Sequence, residues 1–169
     1  QNIIPLFFDL EYSSETGHYK PITKNWLENV FKKINFNEEK IVGVILVSPT
    51  YHGYAGDLNP LIDLCHQKQL PVLVDEAHGS YFLFCENLDL PKSALLSNAD
   101  LVVHSLHKSL NGLTQTAALW YKGDLINEHN IMKSINLLQT TSPSSLLLSS
   151  CEESIKDWFN KKSLSKYQN

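Results

Sequence analysis

Apolar and polar segments alternate along the 169-residue chain in a pattern that predicts several strands. Three continuous apolar runs, "KIVGVILVS", "PVLVDEA" and "ADLVVHSLHKSL", are typical of strands in a parallel sheet, and the first is expected to be buried on both faces. "TQTAALWYKG" predicts a fourth strand that reverses direction, and the opening "NIIPLFF" is a further strand candidate.

Helical spacing of apolar residues predicts helices between these strands. "TKNWLENVFKKI" places apolar side chains from Trp26 to Phe31 three and four residues apart, and Thr23 is the expected N-cap. "DLNPLIDLCHQKQ" and "INEHNIMKSINLLQ" predict two more helices, and another is expected to begin after Pro143. The polar segment "SSETGHYKPIT", with its glycine and proline, is expected to be a loop.

The order of these elements predicts a three-layer α/β/α fold around a mostly parallel sheet. The crossovers between strands are long enough for parallel pairing, and alternation of strands with helices is the pattern of this class. Ligands in such folds bind beyond the carboxyl ends of the strands. Asp75 follows "PVLV" and Lys108 follows "LVVHSLH", so both are candidate site residues.

Two metal-dependent alternatives are tested by the neighbouring sequence. "DEAH" also occurs in helicases, where an acid at a strand end holds magnesium, but the chain has no G-x-x-x-x-G-K-[ST] loop and no Ser-Ala-Thr motif after the next strand. His104 and His107 have the H-x-x-H spacing of some metal sites. No acidic or cysteine ligand stands near them in the sequence, so no metal is expected.

Composition and charge narrow the possible partners and the compartment. The net charge of -4 disfavours a nucleic-acid partner, which normally selects a basic surface. Cys65, Cys85 and Cys151 are scattered without a C-x-x-C, which indicates neither a disulfide framework nor a zinc site and suits the reducing cytoplasm. The apolar run from Ile41 to Val47 is far too short to cross a membrane.

The chemistry of pyridoxal phosphate accounts for an acid and a lysine at neighbouring strand ends. The cofactor needs a lysine amine for its Schiff base, an anion beside its pyridine nitrogen, and donors for its phosphate. Lys108 and Asp75 suit the first two roles. Ser105 and His107 stand next to the lysine and could donate to the phosphate.

Four longer stretches resemble one family of pyridoxal-phosphate enzymes. "SPTYHGYAGDL", "VDEAHGSYFLF", "ADLVVHSLHKSLNGLTQTAALWYKG" and "LLQTTSPSSLLLSS" are similar, in order and spacing, to the fold-type I Orn/Lys/Arg decarboxylases, and they cover most of residues 40–150. "DEAHG" matches the shorter branch of the family, because the longer bacterial enzymes have tryptophan in place of the histidine. The serine after "TSPS" replaces the family's usual aromatic residue.

The resemblance assigns the central roles to three residues. It implies that Lys108 forms the Schiff base, is displaced by the substrate amine and then moves protons. It implies that Asp75 partners the pyridine nitrogen, which would relieve the cost of burying its carboxylate. Ala77 matches a small residue packed close to the cofactor ring.

Three more residues near the lysine and the acid receive roles from the same resemblance. His78 is implied to contact the cofactor or the substrate carboxylate, although a hydrogen-bonded structural histidine is an equal alternative. Ser105 matches a phosphate ligand. His107 matches a position close to both phosphate and substrate, so Lys108, His107 and His78 form the expected catalytic set.

The segment "TTSP" implies an oligomer. Thr140, Thr141 and Ser142 match residues that reach the neighbouring subunit's site, so the resemblance implies a homodimer or a higher homo-oligomer. The alternative is that Ser142 only caps the helix after Pro143.

The expected function is decarboxylation of arginine, lysine or ornithine to its amine, in polyamine biosynthesis. Residues 1–169 are expected to be part of the cofactor-binding major domain, with the family's N-terminal segment and C-terminal domain outside this chain. The alternatives are another fold-type I enzyme such as an aminotransferase, or an inactive truncated fragment. The chain alone is not expected to complete a site.

Overall fold

Strands and helices follow one another along the chain largely in the predicted order. A computed structural model describes residues 3–85 and 89–160. The strands are β1 (Tyr12–Ser13), β2 (His18–Tyr19), β3 (Val44–Val47), β4 (Val72–Asp75), β5 (Leu101–His104) and β6 (Ala118–Tyr121). The α-helices are α1 (Lys24–Lys33), α2 (Asn59–His66), α3 (Leu106–Ser109), α4 (Glu128–Leu138) and α5 (Ser145–Phe159), and a 3-10 helix covers Ser80–Phe84.

A four-stranded sheet in the order β3-β4-β5-β6 forms the centre of the fold. β4 pairs in parallel with both β3 and β5, and Asp75 lies opposite Val47 on one side and Val103 on the other. β6 runs antiparallel to β5, which confirms the predicted reversal. The mostly parallel sheet with its helical crossovers confirms the predicted α/β class.

One face of this sheet carries the main core. Side chains of a strand alternate between its two faces, and in β4 the buried residues are Val72 and Val74. They pack with Leu46 of β3 and Val102 of β5 against α1 and α2. The two helices contribute the expected apolar stripes, buried at Leu27, Val30, Phe31, Leu61, Ile62 and Cys65.

The opposite face of β3 is open, which corrects the prediction that this strand is buried on both sides. Ile45 is 74% exposed and Val47 is 49% exposed, whereas Leu46 between them is 3% exposed. β3 is an edge strand among the described residues, and α1 and α2 pack only on the Leu46 face. A continuous apolar run therefore does not by itself determine how many faces are covered.

Two other element predictions need correction. Ile3 to Phe8 form no strand, because no described strand pairs with them, and Phe7 is 89% exposed; residues 1–2 lie outside the described ranges. The predicted loop "SSETGHYKPIT", residues 13–23, includes all of a short hairpin of β1 and β2 except Tyr12, which lies opposite Tyr19. Gly17 closes this hairpin at a φ of 71°, a conformation that glycine adopts without strain.

The predicted N-cap of α1 is confirmed by its hydrogen bond. The Trp26 backbone N–H donates to Thr23 Oγ1 over 3.2 Å, which satisfies one of the unpaired donors at the start of the helix.

None of the helices in the described ranges has the length and apolar character needed to cross a bilayer.

The three cysteines are all free thiols. Burial, together with the negative charge of Asp100, raises the pKa of Cys65 to about 12. This thiol packs in the core between α2 and the sheet and stays protonated at neutral pH.

The open face predicts a difference between adjacent positions of β3. In the 169-residue chain, Leu46→Ala should lower the free energy of unfolding by about 2–5 kcal/mol, because it leaves a cavity in the core. Ile45→Ala should cost less than about 1 kcal/mol, since its side chain is mostly in water. Urea unfolding followed by circular dichroism measures both. Equal losses at the two positions would show that the second face is covered in solution.

Candidate active site

The carboxyl ends of β4 and β5 bring the predicted acid and lysine to one edge of the sheet. Because the two strands are parallel and adjacent, Asp75 at the end of β4 lies beside Val103, one residue before the end of β5. The chain then passes through Ser105 into the short helix α3, which carries Lys108. The strand therefore ends at His104, earlier than the apolar run suggested.

Asp75 has one oxygen fixed and one oxygen available. Its Oδ1 accepts a hydrogen bond of 3.0 Å from the Ala77 backbone N–H, which closes the turn after β4. No donor from residues 3–85 or 89–160 bonds to Oδ2. The side chain is half-buried on the open face of the sheet, so the expectation of a fully buried carboxylate is corrected. Ala77, 8% exposed, is buried beneath this turn.

Lys108 lies against His78, which joins the two strand ends directly. Lys108 Nζ is 3.2 Å from His78 Nε2, and both side chains are exposed. A lysine ammonium only donates, so His78 Nε2 accepts this bond and its proton lies on Nδ1. Tyr51 contacts the same imidazole edge-on, with ring centroids 5.6 Å apart. Lys108 forms no ion pair with any carboxylate in the described parts of the chain.

Ser105, at the start of α3, and His107, within it, present polar atoms near Lys108 in the chain. Ser105 is the N-cap of α3, but its hydroxyl makes no capping bond, so that Oγ is available to a ligand. His107 Nδ1 lies 2.9 Å from the carbonyl oxygen of Thr116. A carbonyl only accepts, so Nδ1 carries the proton and Nε2 is directed away as an acceptor when the ring is neutral.

Gly79 allows the turn that carries His78 to pack closely. A Cβ at this position would lie 2.6 Å from Pro49 Cδ and 2.9 Å from the ring of Phe82. Both distances are too short for real contacts, so the turn tolerates only glycine unless its neighbours move. The β3 loop and the 3-10 helix therefore hold His78 from two sides.

The layer beneath α3 adds no charge to the site. Cys85 and Tyr81 pack in a small cluster with Leu106 and Leu110. Burial raises the pKa of the Cys85 thiol, and burial together with Cys85 raises the pKa of Tyr81. Both groups stay neutral near pH 7, so Asp75 and Lys108 are the charges that define this edge.

A buried polar pair next to the site was missed by the sequence analysis. Glu76 and His104, 1% and 0% exposed, are joined by a contact of 2.8 Å between Oε2 and Nε2. The signal was present in the strand period, because His104 shares the face of the buried Val102. Since His104 is bonded to Glu76 and His107 to Thr116, the H-x-x-H pair does not converge. The described residues contain no cluster of three metal-ligating side chains.

The "TTSP" segment lies away from these contacts. Thr140, Thr141 and Ser142 are exposed, and within the described chain no hydrogen bond joins them to Asp75 or Lys108. The N-cap of α5 is Ser144, whose Oγ accepts from the Leu147 backbone N–H. The alternative role of Ser142 as the helix cap is therefore wrong, because the cap is two residues later and the helix begins at Ser145.

Two solved structures share the fold of this chain. The chain is similar to the SepCysS–SepCysE N-terminal domain complex, with a TM-score of 0.57, 19% identity, and coverage of 94% of this chain and 42% of that one. It is also similar to mouse CSAD in apo form, with a TM-score of 0.53, 19% identity, and coverage of 89% and 32%. At 19% identity these likenesses show the fold, and they confirm the predicted α/β fold.

The family is shown by a match that covers almost the whole chain. Residues 1–166 match the model of the Orn/Lys/Arg decarboxylase major domain, and the chain belongs to this family. It is 36% identical to an arginine decarboxylase of Bacillus cereus over 148 residues, covering 88% of this chain and 31% of that protein. It is 40% identical to one of Halalkalibacterium halodurans over 152 residues, covering 90% and 30%. The chain thus spans about a third or less of these relatives.

Membership of the family confirms the predicted cofactor, pyridoxal phosphate. The side chains at this edge suit that group. Asp75 Oδ2 has no described donor and can face a protonated ring nitrogen. The Lys108 amine is exposed and unpaired by any described acid, as a covalent attachment point requires. The Ser105 hydroxyl is free to donate.

Proposed function

We propose that the whole protein to which this chain belongs removes the α-carboxylate of a basic amino acid with pyridoxal phosphate. The observation that carries the proposal is the placement of Asp75 and of the Lys108–His78 pair at adjacent parallel strand ends, in a member of this family. The curated relatives at 36% and 40% identity are arginine decarboxylases, which favours arginine over lysine or ornithine.

Each side chain of the edge has a distinct task in this proposal. Bound pyridoxal phosphate supplies an electron sink for the electron pair left when CO2 departs. Asp75 keeps the ring nitrogen protonated through Oδ2, while the Ala77 N–H holds the carboxylate in orientation through Oδ1. Ser105 donates its hydroxyl to the phosphate, and Ala77 leaves room for the ring because it is small.

Lys108 and His78 form the part of the site that moves protons. Lys108 Nζ would hold the cofactor, and the same nitrogen, when free, would deliver a proton to the substrate carbon. His78 Nε2, 3.2 Å from that nitrogen, orients the amine and can take a proton from it. His107, oriented by Thr116, directs Nε2 toward phosphate or substrate.

The remaining expectations become part of the same proposal. Residues 1–169 form part of the cofactor-binding major domain, and other parts of the whole protein supply the rest of the phosphate and ring contacts. Thr140, Thr141 and Ser142 reach the site of a second copy in a homo-oligomer; their exposure supports this. The three free thiols support a cytoplasmic enzyme, and the amine product would enter polyamine synthesis.

Lys108→Ala in the full-length protein should abolish both cofactor attachment and turnover. The change removes the only proposed attachment point while leaving the core, since Lys108 is exposed. The assay is release of labelled CO2 from carboxyl-labelled arginine, lysine and ornithine, with the visible absorbance of bound cofactor. Lys122→Ala, an exposed lysine bonded to Asn98, is the control and should retain activity. Wild-type protein that transfers the amino group without releasing CO2 would favour an aminotransferase.

Asp75→Asn should keep the cofactor but lower the rate by more than about tenfold, or about 1.4 kcal/mol in the barrier. The amide has the shape of the carboxylate but no longer holds a proton on the ring nitrogen. Steady-state kinetics with saturating cofactor measure the effect, and Asp63→Asn on the exposed side of α2 is the control. A loss smaller than tenfold would remove Asp75 from this role.

Mixing two inactive variants should restore activity if the "TTSP" segment serves a neighbour. A dimer of one Lys108→Ala chain and one Thr141→Ala, Ser142→Ala chain contains one site with both native parts, as two-fold symmetry requires. Full-length proteins are mixed, mixed dimers are isolated with two different tags, and CO2 release is measured. Activity at the level of the separate variants would show that the segment serves its own chain.

A further inference from the structure

Both oxygens of the buried Glu76 carboxylate accept hydrogen bonds. Its Oε1 accepts from the Ala94 backbone N–H over 2.8 Å. Its Oε2 accepts from the Ser93 hydroxyl and lies 2.8 Å from His104 Nε2. Burial of a charged carboxylate is costly unless hydrogen-bond donors compensate it. Here three donors, from two separate parts of the chain, surround one carboxylate.

The donor on the far side of His104 fixes the direction of the network. Trp120 Nε1 lies 3.0 Å from His104 Nδ1, and an indole N–H can only donate. His104 Nδ1 is therefore an acceptor without a proton. The ring hydrogen lies on Nε2 and is donated to Glu76. The order Trp120 to His104 to Glu76 has one consistent arrangement of hydrogens, so it links β6, β5 and the end of β4 in a single geometry.

The network lies directly behind the two strand ends that carry the site. Glu76 follows Asp75, and His104 precedes Ser105 in the chain. The Glu76 backbone N–H also donates to the Val103 carbonyl over 3.0 Å, which extends the ladder beyond the last residue of β4. The strand period directs Asp75 to the open face and Glu76 inward. The two carboxylates are therefore carried by consecutive residues on opposite sides of the chain.

We propose that Glu76 is a positioning residue for the cofactor site. By accepting the His104 ring hydrogen, its carboxylate holds the ends of β4 and β5 at the separation that lets Asp75 and Lys108 act on one cofactor. The proposal rests on the function proposed above for Asp75 and Lys108. It differs from a purely stabilising role because it predicts loss of cofactor affinity beyond any loss of stability.

A second buried pair at the opposite end of the same strands provides a matched control. Asp100, 3% exposed, precedes β5, and its Oδ2 accepts from the Val72 backbone N–H over 2.7 Å and contacts His66 Nε2 over 2.9 Å. The chemistry is similar, since both carboxylates bond to a backbone N–H and to an imidazole, although His66 is 31% exposed and no hydroxyl takes part. Because Val72 begins β4 and Asp75 ends it, this pair lies at the end of β4 remote from the site.

The experiment compares Glu76→Gln with Asp100→Asn in the full-length protein. The amide of Glu76→Gln has an NH2 group that would face another donor, either the Ala94 N–H or the His104 Nε2–H. If the His104 hydrogen moved to Nδ1 instead, it would face the Trp120 N–H, which is also a donor. Both variants should lower the melting temperature. Only Glu76→Gln should weaken pyridoxal phosphate binding, by about tenfold or more, measured by titration of the apoprotein. Equal cofactor affinities in two equally destabilised variants would overturn the proposal.

Two more variants keep the test decisive. Trp120→Phe removes the opposing N–H, so His104 can move its hydrogen to Nδ1 and accept from the amide. The double variant with Glu76→Gln should therefore bind cofactor more tightly than Glu76→Gln alone, and the imidazole 15N shifts should report the exchanged hydrogen. An affinity equal to or below that of Glu76→Gln would contradict the directional network.

If Glu76→Gln does not fold, Ser93→Ala is the test variant in its place, because it removes only one of the three donors to Glu76. A loss of cofactor affinity of about threefold or more supports positioning, and wild-type affinity overturns it. The readout separates this inference from the proposed function. If Glu76→Gln selectively loses cofactor affinity but the wild-type protein releases no CO2, the positioning role stands and the decarboxylase function is wrong. If the wild type releases CO2 but Glu76→Gln keeps its cofactor affinity, the decarboxylase function stands and the positioning role is wrong.

Discussion

The parallel pairing of β4 with β5 is the constraint on which the candidate site depends. The ladder places Asp75 beside Val103, so the acid and the segment that begins at Ser105 leave the sheet at the same edge. Asp75 and Lys108 are far apart in the sequence, with about thirty residues between them. Because carboxyl ends of parallel strands coincide, one set of backbone hydrogen bonds turns a distant pair into neighbours.

Two adjacent carboxylates receive opposite environments from this arrangement. Asp75 lies on the open face with one oxygen held by Ala77, whereas Glu76 is 1% exposed and accepts three hydrogen bonds. The first has an oxygen without a described donor, whereas both oxygens of the second accept hydrogen bonds. Because consecutive residues point to opposite faces, Asp75 is placed where it can contact a ligand, and Glu76 is placed where it can only bond within the protein.

Residues of α5 stabilise the short helix that carries Lys108. α3 has only four residues, too few to be stable alone, and the α5 residues Ser150 and Ser154 bond to the backbone of Leu113 and Leu110 just after it. α5 also contributes Trp158 to the apolar cluster beneath α3. The element that follows the "TTSP" segment thus supports the lysine in its own chain, whichever copy the segment itself serves.

The sequence by itself determined the α/β class, the reversed last strand, the Thr23 cap and the family, because apolar periodicity, capping chemistry and motif order are local properties. It also made Asp75 and Lys108 candidate site residues, because both follow strands. It could not predict that β3 has an open face or that residues 3–8 form no strand, since coverage and pairing depend on which elements pack nearby. Only the tertiary structure paired Glu76 with His104 and Lys108 with His78, because hydrogen bonds between residues about thirty positions apart require the strands to be assembled first.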